Sequence, residues 1–206
     1  MNKKLVLILC LVLAAVLIGA GVLYQDLSGQ VQTGGLATQP TAAVTEPDSV
    51  TESAEATEPA AETEAPDYSA PDFTVLDWEG NERKLSEFEG KPVILNFWAS
   101  WCGPCKSEMP DFDKAYTAYG DKIHFLMVNV TGGRETVESA KAFIEEAGYS
   151  FPVYFDTTNE AAYTYGASSI PLTYFIDANG DLVTYAMGAL SADLLQTGIS
   201  YIYTEE

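Results

Sequence analysis

Cys102 and Cys105 stand three positions apart around Gly103 and Pro104, directly after Trp101. The one other cysteine, Cys10, lies in an apolar N-terminal run. No framework of structural disulfides is therefore encoded, and the Cys-x-x-Cys pair points to redox or metal chemistry. A half zinc site needs a second pair of ligands, and only His124 and no further cysteine are on offer, so neither a metal nor a cofactor is expected. Thiol–disulfide exchange instead requires a thiolate, hence a position that lowers one cysteine's pKa. Pro104 suits the first helical position, and Met109, Phe112, Tyr116 and Tyr119 recur at spacings of three and four, so a helix starts just after Cys102. Its unpaired N–H groups and the positive end of its dipole favour an anion on Cys102. Cys105, one turn in, is expected to be more buried and less acidic. Cys102 then attacks a substrate disulfide and Cys105 resolves the mixed disulfide. Resolution needs a proton acceptor, and Glu108 lies three residues after Cys105 on the same helical face. The alternative for Glu108 is an ordinary solvent-facing carboxylate. Trp101 reads as an apolar lid beside the cysteines or as a structural aromatic, and His124, at the start of a strand, as structural.

The elements that must hold these residues follow from patterning. Pro92 to Trp98 is a continuous apolar run of strand length, the pattern of a strand buried on both faces, and it leads into the cysteine motif. Residues 73–76 and 83–85 flank the turn-rich Asp77-Trp78-Glu79-Gly80-Asn81 and read as an opening hairpin, followed by a short turn at Ser86 to Phe88. Pro110 predicts a kink in the cysteine helix. Beyond it the pattern predicts a strand from Ile123 to Val130, a helix from Glu135 to Ala147 stopped by Gly148, and a strand from Phe151 to Phe155. A short helix from Asn159 to Tyr165 and a strand from Leu172 to Ile176 come next. Asp177-Ala178-Asn179-Gly180 then turns into an antiparallel strand reaching Met187, and Ser191 caps a last helix running to about Tyr203. This is an α/β fold with a central sheet flanked by helices.

Asn96-Phe97-Trp98-Ala99-Ser100-Trp101-Cys102-Gly103-Pro104-Cys105-Lys106 resembles the active-site segment of thioredoxins, and Ser169-Ile170-Pro171-Leu172-Thr173 resembles their cis-proline loop. The surplus of residues between Val130 and Ile170, holding an additional helix and strand, together with Ala70-Pro71-Asp72-Phe73, is similar to the TlpA/ResA group of extracytoplasmic thioredoxin-like reductases. The resemblance implies a thioredoxin-like fold with a central mixed sheet, an N-terminal hairpin and an inserted helix–strand between the cysteine motif and the cis-proline loop. It implies a redox disulfide between Cys102 and Cys105, a functional glutamate at Glu108, and a cis Pro171. It further implies a substrate-binding surface of Trp101, Gly103, Pro104, Ile170 and Pro171, with the Ile170 backbone pairing to the substrate. Thioredoxins carry an aspartate where this chain has Asn96, which does not ionise, so another base is required. A peroxidase of the related peroxiredoxin type would need a threonine at position 99, which is alanine.

Before this domain, Lys3-Lys4 precede an unbroken apolar run from Leu5 to Leu23, about 28 Å as a helix, close to the thickness of a bilayer core. The reading is an N-terminal membrane anchor over residues 1–27 with a cytoplasmic N-terminus and an extracytoplasmic domain. A cleaved signal releasing a secreted protein is the competing reading. Residues 28–67 hold eight acidic residues and no Lys or Arg, and read as a disordered acidic tether, with residues 68–206 as the thioredoxin-like domain. The net charge of −20 over 206 residues makes nucleic acid and anionic membrane surfaces poor partners. Gly-Pro between the cysteines resembles strongly reducing thioredoxins more than disulfide-forming oxidants. Oxidised protein substrates and a transmembrane thiol carrier of the CcdA/DsbD kind as electron donor are the implied partners. A disulfide-forming oxidant and a tethered non-catalytic binding module are the alternatives.

Overall fold

The computed structural model describes residues 36–38 and 68–205. The expected anchor and nearly all of the expected tether lie outside the described residues. Among the described residues no helix is long and apolar enough to cross a membrane.

The order of elements is β1 (Leu36–Thr38), β2 (Thr74–Leu76), β3 (Glu82–Lys84), a 3-10 turn (Leu85–Phe88), β4 (Val93–Trp98), α1 (Gly103–Tyr119), β5 (His124–Val130), α2 (Val137–Ala147), β6 (Val153–Asp156), α3 (Glu160–Thr164), β7 (Leu172–Ile176), β8 (Leu182–Met187) and α4 (Ala192–Ile202). The described strands form one sheet in the order β1-β8-β7-β4-β5-β6-β2-β3. β4, β5 and β6 are parallel, with Asn96 opposite Met127 and Val128 opposite Tyr154, and the remaining pairings are antiparallel. This is the mixed α/β sheet that the pattern predicts, with the inserted α2–β6 unit adding the third parallel strand.

The continuous apolar run of β4 is buried on both faces, and its alternation sorts the core. Ile94 and Trp98 face one cluster with Met109 and Phe112 of α1, Ile144 of α2 and Leu195 and Ile199 of α4. Val93, Leu95 and Phe97 face the other cluster with Phe73, Val75, Val128 and Leu172. α4 sits tightly on β7 because Gly198 has no side chain; a Cβ there would collide with the Phe175 ring. The two hairpin turns use the same chemistry. Asp177 accepts from the N–H groups of Asn179 and Asp181 while Gly180, at φ 88°, closes the turn; Asp77 does the same for Glu79 and Asn81 with Gly80 at φ 88°.

Two details differ from the sequence expectation. The second helix begins at Val137 rather than Glu135, because Thr136 is its N-cap and exchanges hydrogen bonds with Ser139. Leu36–Thr38, inside the stretch read as tether, pairs antiparallel with β8, Leu36 opposite Ala186.

Candidate functional site

β4 delivers the chain to Ala99 and Ser100, and the turn that follows places Cys102 at the N-cap of α1 in extended backbone geometry. Cys102 and Cys105 are joined as a disulfide, with Cα atoms 5.3 Å apart. The Cys105 N–H points at Cys102 Sγ, 3.2 Å away. That first-turn donor, with the helix dipole behind it, is the feature that favours a thiolate on Cys102 once the disulfide is reduced. Cys102 keeps 5% of its surface and Cys105 none, so only Cys102 is reachable from solvent. Gly103 and Pro104 are exposed beside it, and a Cβ on Gly103 would meet no atom within 4 Å.

The loop before β7 supplies the facing wall. The Ile170–Pro171 bond is cis, as the resemblance implies. The Ile170 carbonyl oxygen lies 3.7 Å from Cys102 Sγ, and the Pro171 carbonyl accepts from the Gly188 N–H at 2.9 Å. Trp101, which directly precedes Cys102, is 46% exposed, and the Arg134 guanidinium lies over its ring at 4.0 Å from the centroid. The structure thus places Trp101, Cys102, Gly103, Pro104 and Cys105 on one segment, with the Ile170 carbonyl and the cis Pro171 across from it.

Glu108 lies behind the cysteines and is not a surface carboxylate. It is 1% exposed; Oε1 accepts from Asn96 Nδ2 at 2.9 Å and Oε2 from the Leu190 N–H at 2.7 Å. Burial pushes its pKa up to about 7, against the two hydrogen bonds, which pull it down. A carboxyl that exchanges its proton near neutral pH is suited to general acid–base work. Asn96 Nδ2 also donates to Thr173 Oγ1 at 3.0 Å, linking β4 to β7 two residues beyond the cis proline.

Sequence reasoning missed a second buried glutamate. Glu135, 2% exposed, accepts from the Ser100 N–H at 3.0 Å, the Ser100 hydroxyl at 2.8 Å and Asn129 Nδ2 at 2.9 Å. It clamps the residue two before Cys102. The available signal was the Thr136/Ser139 capping pair, which leaves Glu135 outside the helix and free to turn inward. His124 packs edge-on against Phe88 at 5.2 Å and takes no part in the site. Among the described residues no group of three or more His, Cys, Asp or Glu is placed to hold a metal ion.

A parallel–antiparallel sheet with a Cys-Gly-Pro-Cys disulfide at a helix N-terminus and a cis proline opposite defines a thioredoxin-like thiol-disulfide oxidoreductase. The chain belongs to the AhpC/TSA family, whose model matches residues 66–185. It is 36% identical over 126 residues to the thiol-disulfide oxidoreductase ResA of Geobacillus thermodenitrificans, covering 61% of this chain and 71% of that one. Among solved structures it is similar to the exposed lipoprotein thioredoxin Etrx1 of Streptococcus pneumoniae, with 34% identity and a TM-score of 0.56 over 63% of this chain and 99% of the other. It is likewise similar to StoA of Bacillus subtilis, with 26% identity and a TM-score of 0.56 over 64% and 98%. The protein is an enzyme of the TlpA/ResA-like kind that exchanges thiols and disulfides.

Proposed function

We propose that the enzyme reduces disulfides of extracytoplasmic proteins, held at the membrane by residues 5–23 and recharged by a transmembrane thiol carrier. The observation that carries the chemistry is the buried Glu108 carboxyl, one helical turn past Cys105, with its pKa raised to about 7. In the dithiol form the Cys102 thiolate attacks a substrate disulfide, forming a mixed disulfide and releasing one substrate thiolate. Cys105 gives its proton to Glu108 and its sulfur attacks Cys102 Sγ. The second substrate thiolate leaves, and the Cys102–Cys105 disulfide remains. Two electrons pass to the substrate, and the carrier restores them by the reverse sequence. Trp101, Gly103, Pro104, Ile170 and Pro171 form the surface on which the substrate segment lies. The reducing direction is supported by Gly-Pro between the cysteines, a dipeptide shared with thioredoxins near −270 mV rather than with oxidants near −120 mV.

The test is trapping in intact cells. Cys105→Ser is expected to stall at the mixed disulfide and hold its partners covalently, whereas Cys102→Ser holds little, its remaining thiol being fully buried. Equal trapping by both variants would contradict the assignment of roles. Partners that are all membrane thiol carriers or oxidised extracytoplasmic proteins support the proposed route; cytoplasmic partners oppose it.

A further inference from the structure

Asn96 is fully buried at the centre of β4, and its Oδ1 has no hydrogen-bond partner among the described residues. Its Nδ2 has two, the Glu108 carboxylate and the Thr173 hydroxyl. An orphaned acceptor in a close-packed core calls for a reason, since such groups are usually satisfied. Reversing the amide by half a turn exchanges its two ends, so that Nδ2 takes the unpartnered position. Oδ1 would then face Glu108 and Thr173, and two donors are available to it if Glu108 carries a proton, because the Thr173 hydroxyl donates as readily as it accepts. With Glu108 ionised, Nδ2 must face inward, because two acceptors confront it. With Glu108 protonated, Oδ1 is favoured there.

We propose that Asn96 is a positioning residue whose amide reverses with each protonation of Glu108, with Thr173 as the hinge partner that accepts in one state and donates in the other. The inference rests on the role given to Glu108 above. The proton that Cys105 hands to Glu108 would then meet an acceptor ready to turn toward it, so a dry site holds either protonation state of the carboxyl with inward-facing partners matched. No charged side chain competes for control of this proton. The shift at Glu108 arises from burial, the Leu190 N–H and the Asn96 amide alone. On α1, Cys105 precedes it by one turn, Lys106 is exposed, and Asp111 is paired with Lys114 at 2.8 Å. β4 and β7 contribute only Asn96 and Thr173 to this contact, and Asp193 of α4 is exposed.

The test is a pH titration of the full-length oxidised protein followed by nuclear magnetic resonance. The Asn96 side-chain amide resonances are expected to move with the same midpoint as the Glu108 carboxyl carbon. In Thr173→Val each state loses its Thr173 partner, but the inward-facing Nδ2 is left with an orphaned N–H, which costs more than an inward-facing Oδ1 that keeps one donor from Glu108. The Glu108 midpoint should therefore rise by about one pH unit, tenfold in proton affinity. Asn96→Asp, close to isosteric, is expected to give two coupled steps, as two facing carboxyls share one proton. An Asn96 amide that ignores the Glu108 titration, or a Glu108 midpoint unmoved in both variants, overturns the proposal. These readouts do not depend on turnover. Should Glu108→Gln leave exchange unchanged while they hold, the base role fails and the amide reversal stands.

Discussion

Beneath Cys105, Glu108 meets one backbone N–H and one side-chain amide; beside Trp101, Glu135 meets one backbone N–H, one hydroxyl and one side-chain amide. Both carboxylates are buried to within 2% of their surface. The difference lies in what each anchors. Two of Glu135's three donors come from Ser100, two residues before the nucleophile, so the carboxylate fixes the path of the backbone into the cysteine turn. Glu108 fixes little: its partners are the N–H of a loop and a side chain with an unused oxygen, and it sits one helical turn past Cys105. Burial alone therefore does not mark a catalytic carboxyl. A buried acid with fewer donors, and a partner able to change its offer, is free to take up a proton; one pinned by several donors at a bend in the backbone acts as a clamp.

Removing the clamp should have the largest effect. Glu135→Ala leaves the Ser100 and Asn129 donors without their acceptor and is expected to lower stability by about 2 to 4 kcal/mol, measured by urea unfolding. A loss well under 1 kcal/mol would mean that Ser100 is held by something else.

The contrast sharpens with pH. Glu108 has its pKa raised from 4.5 to about 7, so the folded protein keeps a proton that the unfolded chain has released between those values. The stabilisation is fully present below pH 4.5 and is lost as pH rises through 7. Relative to Glu108→Gln, the wild type should lose on the order of 3 kcal/mol across that window. Parallel stability curves for the two proteins would show that Glu108 does not titrate there.

A rate effect comes next. Glu108→Gln should slow disulfide exchange by about 10- to 100-fold, because the proton of Cys105 loses its acceptor, with little change in far-ultraviolet circular dichroism. If exchange is as fast as in the wild type, Glu108 is a structural acid like Glu135 and the comparison collapses. The smallest effect belongs to Arg134, which is exposed and touches the site only through the Trp101 ring. Arg134→Ala should reduce stability by about 0.5 to 1 kcal/mol, the scale of an exposed cation–π contact, read from the shift in the urea midpoint.

The elements and the reactive pair were legible in the sequence because their signals are local. A mostly apolar run of strand length, interrupted only by Asn96, makes β4 a buried strand whichever neighbours it has, and Pro104 two residues past Cys102 makes that cysteine an N-cap. Glu108 was legible for the same reason, since i and i+3 share a helical face. That it is buried was not. Its partners are Asn96 twelve positions earlier and Leu190 eighty-two later, and only the packing of α1 and α4 over β4 decides that they meet. Glu135 was read as the first residue of a helix whose apolar face begins at Val137. Its inward turn toward Ser100, thirty-five positions away, needs the parallel pairing of β4 with β5 before it exists. By itself the sequence determined which residues react and along which elements they lie, since covalent order and short-range periodicity fix both. Tertiary structure alone decided which acids lose their water and which donors replace it, because desolvation and long-range hydrogen bonding are properties of packed neighbours, not of neighbours in the chain.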